Sequence, residues 1–141
     1  MHVLIIHQNY VDHNHAGGTR HLDIATCLVK QGHQVTIVAS TVDYLTGRSI
    51  KRRVEELDGV KVVRAYALPL VQSGLILRLI SYLSFIPSSA WVGFKMGQVD
   101  VVLATTPPIF QLPSTWIVAR MRRAPFVLEV LDLWPGFAIG M

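Results

Sequence analysis

The chain has 141 residues, 51% of them hydrophobic and 16% charged, a balance that supports one packed domain and excludes a disordered or low-complexity polypeptide. Its net charge of +4 gathers at Lys51-Arg52-Arg53 and at Arg120, Arg122 and Arg123; short basic runs are most often solvated faces, and no nucleic-acid motif or aromatic platform accompanies these. A lone cysteine, Cys27, excludes an intrachain disulfide and fits a reducing compartment, so the cytoplasm is the expected location.

Residues 2–7 are a continuous apolar run, as expected of a strand buried on both faces of a parallel sheet. Residues 19–31 place Leu22, Ala25, Leu28 and Val29 at helical spacing, with Thr19 as a candidate cap and Gly32 as the stop. Gln34–Ser40 is rich in β-branched residues and completes a βαβ unit, whose crossover should be right-handed. Residues 41–50 have no period and read as a mobile loop. Asp58-Gly59 is a hairpin signal that joins a strand at 60–66 to an edge partner at 53–57.

Residues 75–97 read as helix in part, kinked or divided at Pro87. Their uncharged stretch is broken by Pro87, Ser88 and Ser89. It falls short of the roughly 20 apolar residues a bilayer span needs, but it can lie on a membrane surface. There, Leu79, Leu83 and Phe85 are the side chains expected to meet lipid. A fourth main strand at 99–104, a helix within 107–123 with Pro113 in its first turn, and a strand at 125–131 complete the pattern. Alternating strands and helices imply an α/β fold, a Rossmann-like, doubly wound, mainly parallel sheet flanked by helices. In such a sheet the first strand lies between the second and the fourth, and the crevice at the carboxyl ends of those strands binds ligands.

The loop HQNYVDHNHAGGTRH, residues 7–21, opens into that crevice. A helix N-terminus carries unpaired N–H groups and partial positive charge, and Gly17 and Gly18 let backbone approach a diphosphate closely. The same glycines serve equally well simply to turn the chain into the helix. Neither a G-x-G-x-x-G fingerprint after the first strand nor a P-loop is present, which weighs against ordinary dehydrogenase and ATPase chemistry. His7, His13, His15 and His21 lack a recognised metal-ligand spacing, so no metal is expected, and one of them is better suited to bonding a polar substrate. Thr105 and Thr106 end the fourth strand as candidate donors. Asp132 ends the fifth, where a carboxylate can orient a hydroxyl, act as a base, or simply cap the turn toward Pro135. Trp134 reads as packing beneath a loop.

Taken in order, VLIIHQNYVDHNHAGGTRHLDIATCLVKQGHQVTIVAS, LDGVKVVRAY, VDVVLATTPPIF and RAPFVLEVLDLWP resemble the N-terminal domain of the family 4 glycosyltransferases of GT-B fold. The likeness is greatest to bacterial amino-sugar and fucosamine transferases of polysaccharide biosynthesis. It implies a retaining, metal-independent enzyme without a cofactor, moving sugar from a nucleotide diphosphate donor, usually UDP-linked, to a glycan or polyprenyl-diphosphate-linked acceptor. By position, Gly17 and Gly18 would approach the donor diphosphate. Arg20, His13 and His15 would shape the acceptor side, and Thr105, Thr106 and Asp132 would line the cleft, with Asp132 the candidate catalytic group.

The resemblance further implies that residues 1–141 are an incomplete glycosyltransferase N-terminal domain, inactive without a C-terminal donor-binding domain. It also gives residues 75–96 a reason to touch the inner face of the cytoplasmic membrane, where a lipid-linked acceptor resides. A free-standing α/β binding module for a phosphorylated or lipid-linked ligand is the alternative reading. A GT-A type transferase ranks last, because the chain has no Asp-x-Asp triplet.

Overall fold

The computed structural model describes residues 1–11 and 19–131. These form β1 (His2–Ile6), α1 (Arg20–Lys30), β2 (Gln34–Ser40), β3 (Val54–Leu57), β4 (Val60–Ala65), α2 (Leu75–Lys95), β5 (Val101–Thr106), a one-turn 3-10 helix (Ile109–Gln111), α3 (Leu112–Arg122) and β6 (Phe126–Val130). The strands make one Rossmann-like sheet in the order β3-β4-β2-β1-β5-β6, parallel throughout except for the β3–β4 hairpin. β1 therefore lies between β2 and β5, and the order reverses there, as the alternating pattern requires.

The sheet divides two cores. On one face Val3, Ile5, Val35 and Ile37 pack with Leu22 and Ala25 of α1. On the other, Leu4, Ile6, Val38 and Val102 pack with Phe85 of α2 and Val118 of α3. Successive strand residues point to opposite faces, so the unbroken apolar run of β1 supplies both layers at once.

Local chemistry sets the ends of these elements. Gly32, at φ 84°, closes α1 with its N–H on the Val29 carbonyl and the His33 N–H on the Leu28 carbonyl, a Schellman arrangement that a side chain would strain. Asp58 and Gly59 both take positive φ, 51° and 78°, as a two-residue hairpin turn demands. Arg64 of β4 pairs with Glu55 of β3, Nη2 to Oε1 at 2.6 Å with both side chains largely buried, and ties down the edge strand.

Four expectations change. Thr19 precedes α1 but makes no capping bond; its hydroxyl donates to Asp23 instead, at 2.8 Å. The segment after β2 is a loop, as expected, but not an unpaired one. It folds back through a Val42–Ser49 bridge and a 2.7 Å bond from the Ile50 N–H to the Thr41 carbonyl, while Asp43 Oδ1 accepts the N–H groups of Leu45 and Thr46. Pro87 does not divide α2, which runs unbroken for 21 residues; the proline is exposed, so its ring and the carbonyl it leaves unpaired do not disturb the sheet-facing side. That full length makes α2 long and apolar enough to cross a membrane by length and composition. The helix nevertheless buries Ser81, Phe85, Ser89 and Gly93, the last against Val118 of α3.

β6, though apolar, forms a sheet edge on which Phe126, Val127, Leu128 and Val130 are exposed among the described residues.

Candidate functional site

At the carboxyl ends of β1, β5 and β6, a chain of polar side chains crosses the crevice. Glu129, the one charge inside the apolar strand FVLEV, accepts hydrogen bonds at Oε1 from the Nε and Nη2 of Arg20, the first residue of α1. Its other oxygen accepts the Thr105 hydroxyl at 3.1 Å. Thr105 is fully buried, and its Oγ1 lies 2.9 Å from His21 Nε2. A hydroxyl has a single hydrogen. Given to Glu129, it leaves Thr105 an acceptor toward His21, so the neutral imidazole carries its proton on Nε2 and keeps a lone pair on Nδ1.

His21 stacks on His7, which directly follows β1, with ring centroids 3.8 Å apart and planes 19° from parallel. Fully buried Gln111 then locks the far side. Its Oε1 accepts the Gln8 N–H at 2.7 Å, its Nε2 donates to the Thr105 carbonyl, and the same Nε2 lies 3.5 Å from His7 Nδ1. β1, β5 and the 3-10 turn are thereby held together by one amide.

Burial lowers both imidazoles. It takes His7 to about 3, helped by the neighbouring His21. Burial likewise lowers His21, with the Glu129 carboxylate opposing and Arg20 assisting the shift. Burial alone would raise Glu129, but hydrogen bonds from Arg20 and Thr105 and the Arg20 charge outweigh it and hold the carboxyl below its ordinary value. At neutral pH the cluster is thus two neutral imidazoles beside an Arg–carboxylate pair.

A pH prediction follows. Folded His7 binds its proton less readily than the unfolded chain does, so stability is complete above the unfolded value of 6.5 and is lost as pH falls toward 3. Thermal unfolding is expected to report a loss on the order of 2 kcal/mol between about pH 7 and about pH 5. His7→Phe, which keeps a ring in the stack, should flatten that slope; an equally steep slope in the variant would contradict the assignment.

Two buried polar atoms at the same end, Gln8 Oε1 and Thr106 Oγ1, have no hydrogen-bond partner among the described residues. Buried polar atoms are nearly always paired, so these two would gain a hydrogen bond from any rearrangement that exposes them to a ligand's hydroxyls. Arg20 is more than half exposed and, among the described residues, spends only Nε and Nη2, on Glu129, leaving further N–H donors for an anion. Beside them, Asn9 hydrogen-bonds the Tyr82 hydroxyl, and Tyr82 stacks on Phe110 at 5.7 Å, which brings α2 to the crevice rim.

The structure thus gathers Arg20, Thr105 and Thr106 of the sequence-selected residues at one end of the sheet. Gly17, Gly18, His13, His15 and Asp132 lie outside the described residues, as does Trp134. Among the described residues no three His, Cys, Asp or Glu side chains gather to hold a metal, and the His7–His21 pair stacks face to face. Sequence reasoning passed over Glu129, Gln111 and Gln8. A lone charge in an otherwise apolar strand was the available signal for Glu129; the two glutamines offered none. A separate open concavity lined by Asp23, Thr26, Cys27, Lys30 and Asp58 sits on the outer side of α1 and contains none of these groups.

A family model described as a glycosyl transferase 4-like domain matches residues 16–140. A search of curated proteins finds no match to the chain.

Proposed function

Because the chain belongs to the glycosyl transferase 4-like domain family, we propose that it is the acceptor-side domain of a retaining transferase of GT-B architecture. In this reading it is closest to amino-sugar and fucosamine transferases of cell-surface polysaccharide synthesis. The observation that carries the reading is the crevice itself. Gln8 Oε1 and Thr106 Oγ1, unpartnered among the described residues, and the largely exposed Arg20 guanidinium all lie at the carboxyl end of the central strands, where doubly wound sheets bind ligands.

The roles divide by chemistry. Gln8 and Thr106 bond hydroxyls of the acceptor sugar. Arg20, oriented by Glu129, offers its remaining N–H groups to a diphosphate, and Thr105 and His21 hold that carboxylate in place. Gly17 and Gly18 admit the donor diphosphate to the helix N-terminus, His13 and His15 border the acceptor, and Asp132 takes the proton that the acceptor hydroxyl releases. The bond from the anomeric carbon to the diphosphate oxygen breaks with its electron pair on that oxygen, and the acceptor oxygen bonds the same face of the sugar. The donor is UDP-linked, a second domain supplies most of its contacts, the acceptor is a glycan or a sugar on polyprenyl diphosphate, and neither metal nor cofactor takes part.

Transfer of radiolabelled sugar from a panel of UDP-sugars to polyprenyl-diphosphate-linked sugars tests this reading, in the chain alone and joined to a donor-binding domain. Transfer only in the joined form is the expected result. Firm binding of the prenyl diphosphate sugar with no transfer in either form would favour the binding module instead.

A further inference from the structure

Helix α2 is built inside out. Its sheet-facing side is small and polar: Ser81 donates to the Leu68 carbonyl at 2.6 Å, Ser88 to the Tyr66 carbonyl, and Ser89 to the Phe85 carbonyl at 2.7 Å, while Ser84 accepts the Leu68 N–H at 2.9 Å. Phe85 is the one large side chain that faces fully inward, at 0% exposure. It therefore cannot meet lipid as the sequence suggested. At Gly93 the helix approaches α3 so closely that a Cβ would fall 2.7 Å from Val118 Cγ2.

The large apolar residues point the other way. Ile76, Ile80, Leu83, Trp91 and Phe94 are 74%, 41%, 48%, 59% and 44% exposed. Their spacing of three, four, seven or eight residues sets them on one outward stripe along the whole helix, about 30 Å long. Pro87, also exposed, lies on the same stripe, and no charge interrupts it. A soluble helix shows the reverse pattern, with its apolar stripe toward the core.

Charge on this layer is one-sided. Between Asp58 and Glu129 the only acidic residue is Asp100, which binds the His2 N–H at 2.6 Å. The same span contributes Arg78 and Lys95 from α2, and Arg120, Arg122 and Arg123 at the end of α3, which packs beside it. Lys95 Nζ sits 5.0 Å from the Trp91 ring centre, and the Arg122 guanidinium 5.4 Å from that of Phe94. Aromatic rings paired with cations at the end of an apolar stripe are the side chains that settle at the headgroup level of a bilayer.

We propose that the outward stripe of α2 lies flat in the surface of an anionic lipid bilayer, with Trp91, Lys95 and the basic end of α3 at the phosphate level. A protein partner would need an apolar groove fringed with acidic groups to match this face; an anionic bilayer offers both features everywhere along its plane. The surface binding stands apart from the transfer chemistry. Its use rests on the reading given above: Tyr82, on the same helix, bonds Asn9 at the crevice rim, so a bilayer-bound α2 sets the crevice beside lipid-borne sugars.

Flotation with vesicles, without any sugar substrate, tests the surface alone. The chain is expected to float with phosphatidylglycerol–phosphatidylcholine vesicles, less with phosphatidylcholine alone, and less in high salt. Combined Ile80→Ser, Leu83→Ser and Trp91→Ser should weaken vesicle affinity by about tenfold or more, with the unfolding temperature essentially retained because these positions are exposed. Lys95→Glu should weaken anionic binding selectively. Three outcomes would overturn the proposal: no flotation of the unaltered chain, equal flotation of the triple variant, or a vesicle-independent dimer that the triple variant abolishes while neither form floats.

Discussion

Phe85→Ala is expected to destabilise the protein by about 3–5 kcal/mol, whereas Leu83→Ala, two positions away, should cost under about 0.5 kcal/mol. The contrast arises from the inverted helix. Phe85 is completely buried in the core shared by Leu4, Ile6, Val38, Val102 and Val118, so its loss removes apolar contact and leaves a cavity that close-packed neighbours cannot fill. Leu83 is on the outward stripe, half exposed, and its removal takes away little that folding had buried. Chemical denaturation of the two variants in vesicle-free buffer measures the difference directly. Equal costs would mean that α2 packs on the sheet by a different face.

The second large effect concerns transfer. Gly17→Val with Gly18→Val is expected to lower the rate of sugar transfer by roughly two to three orders of magnitude, the scale on which losing a preorganised donor to developing charge acts. Two branched side chains at the entrance to α1 would hold the diphosphate away from the helix N-terminus. Measured per folded molecule, the rate separates this role from a purely conformational one. If the glycines serve only to turn the chain, the double variant loses stability but keeps its rate.

Much of the fold could be read from the sequence because its signals are local. β-branched runs marked β1, β2, β4 and β5, Asp58-Gly59 marked the hairpin, Gly32 marked the end of α1, and the alternation of elements placed β1 between β2 and β5. What escaped depends on contacts across the sheet. Ser88 and Ser89 read as interruptions of an apolar segment, yet with Ser81 and Ser84 they are its inward face, because their hydroxyls are satisfied by carbonyls and an N–H of the approach to α2 and by the helix itself. Pro87 read as a break for want of knowledge that it points outward.

The site follows the same division. Thr105 and Thr106 could be selected because they end a strand in a fold whose crevice position is set by topology, and Arg20 through its position in the family resemblance. Glu129 and Gln111 gain their roles from partners on other elements, among them Arg20 and Gln8, 109 and 103 residues distant in sequence. Within its own element Gln111 has no signature, and Glu129 has only that of a lone charge in an apolar strand.

The acceptor-side assignment is tested most directly by following the ring resonances of His21 and His7 by NMR during titration with a short-chain prenyl diphosphate-linked N-acetylhexosamine and, separately, with UDP-N-acetylhexosamine. The account predicts saturable shifts of His21, stacked at the crevice and bonded to Thr105, with the prenyl-linked sugar, lost on Arg20→Ala, and much weaker shifts with the nucleotide sugar alone. Shifts produced by the nucleotide sugar and not by the prenyl-linked sugar, or by neither, would contradict it.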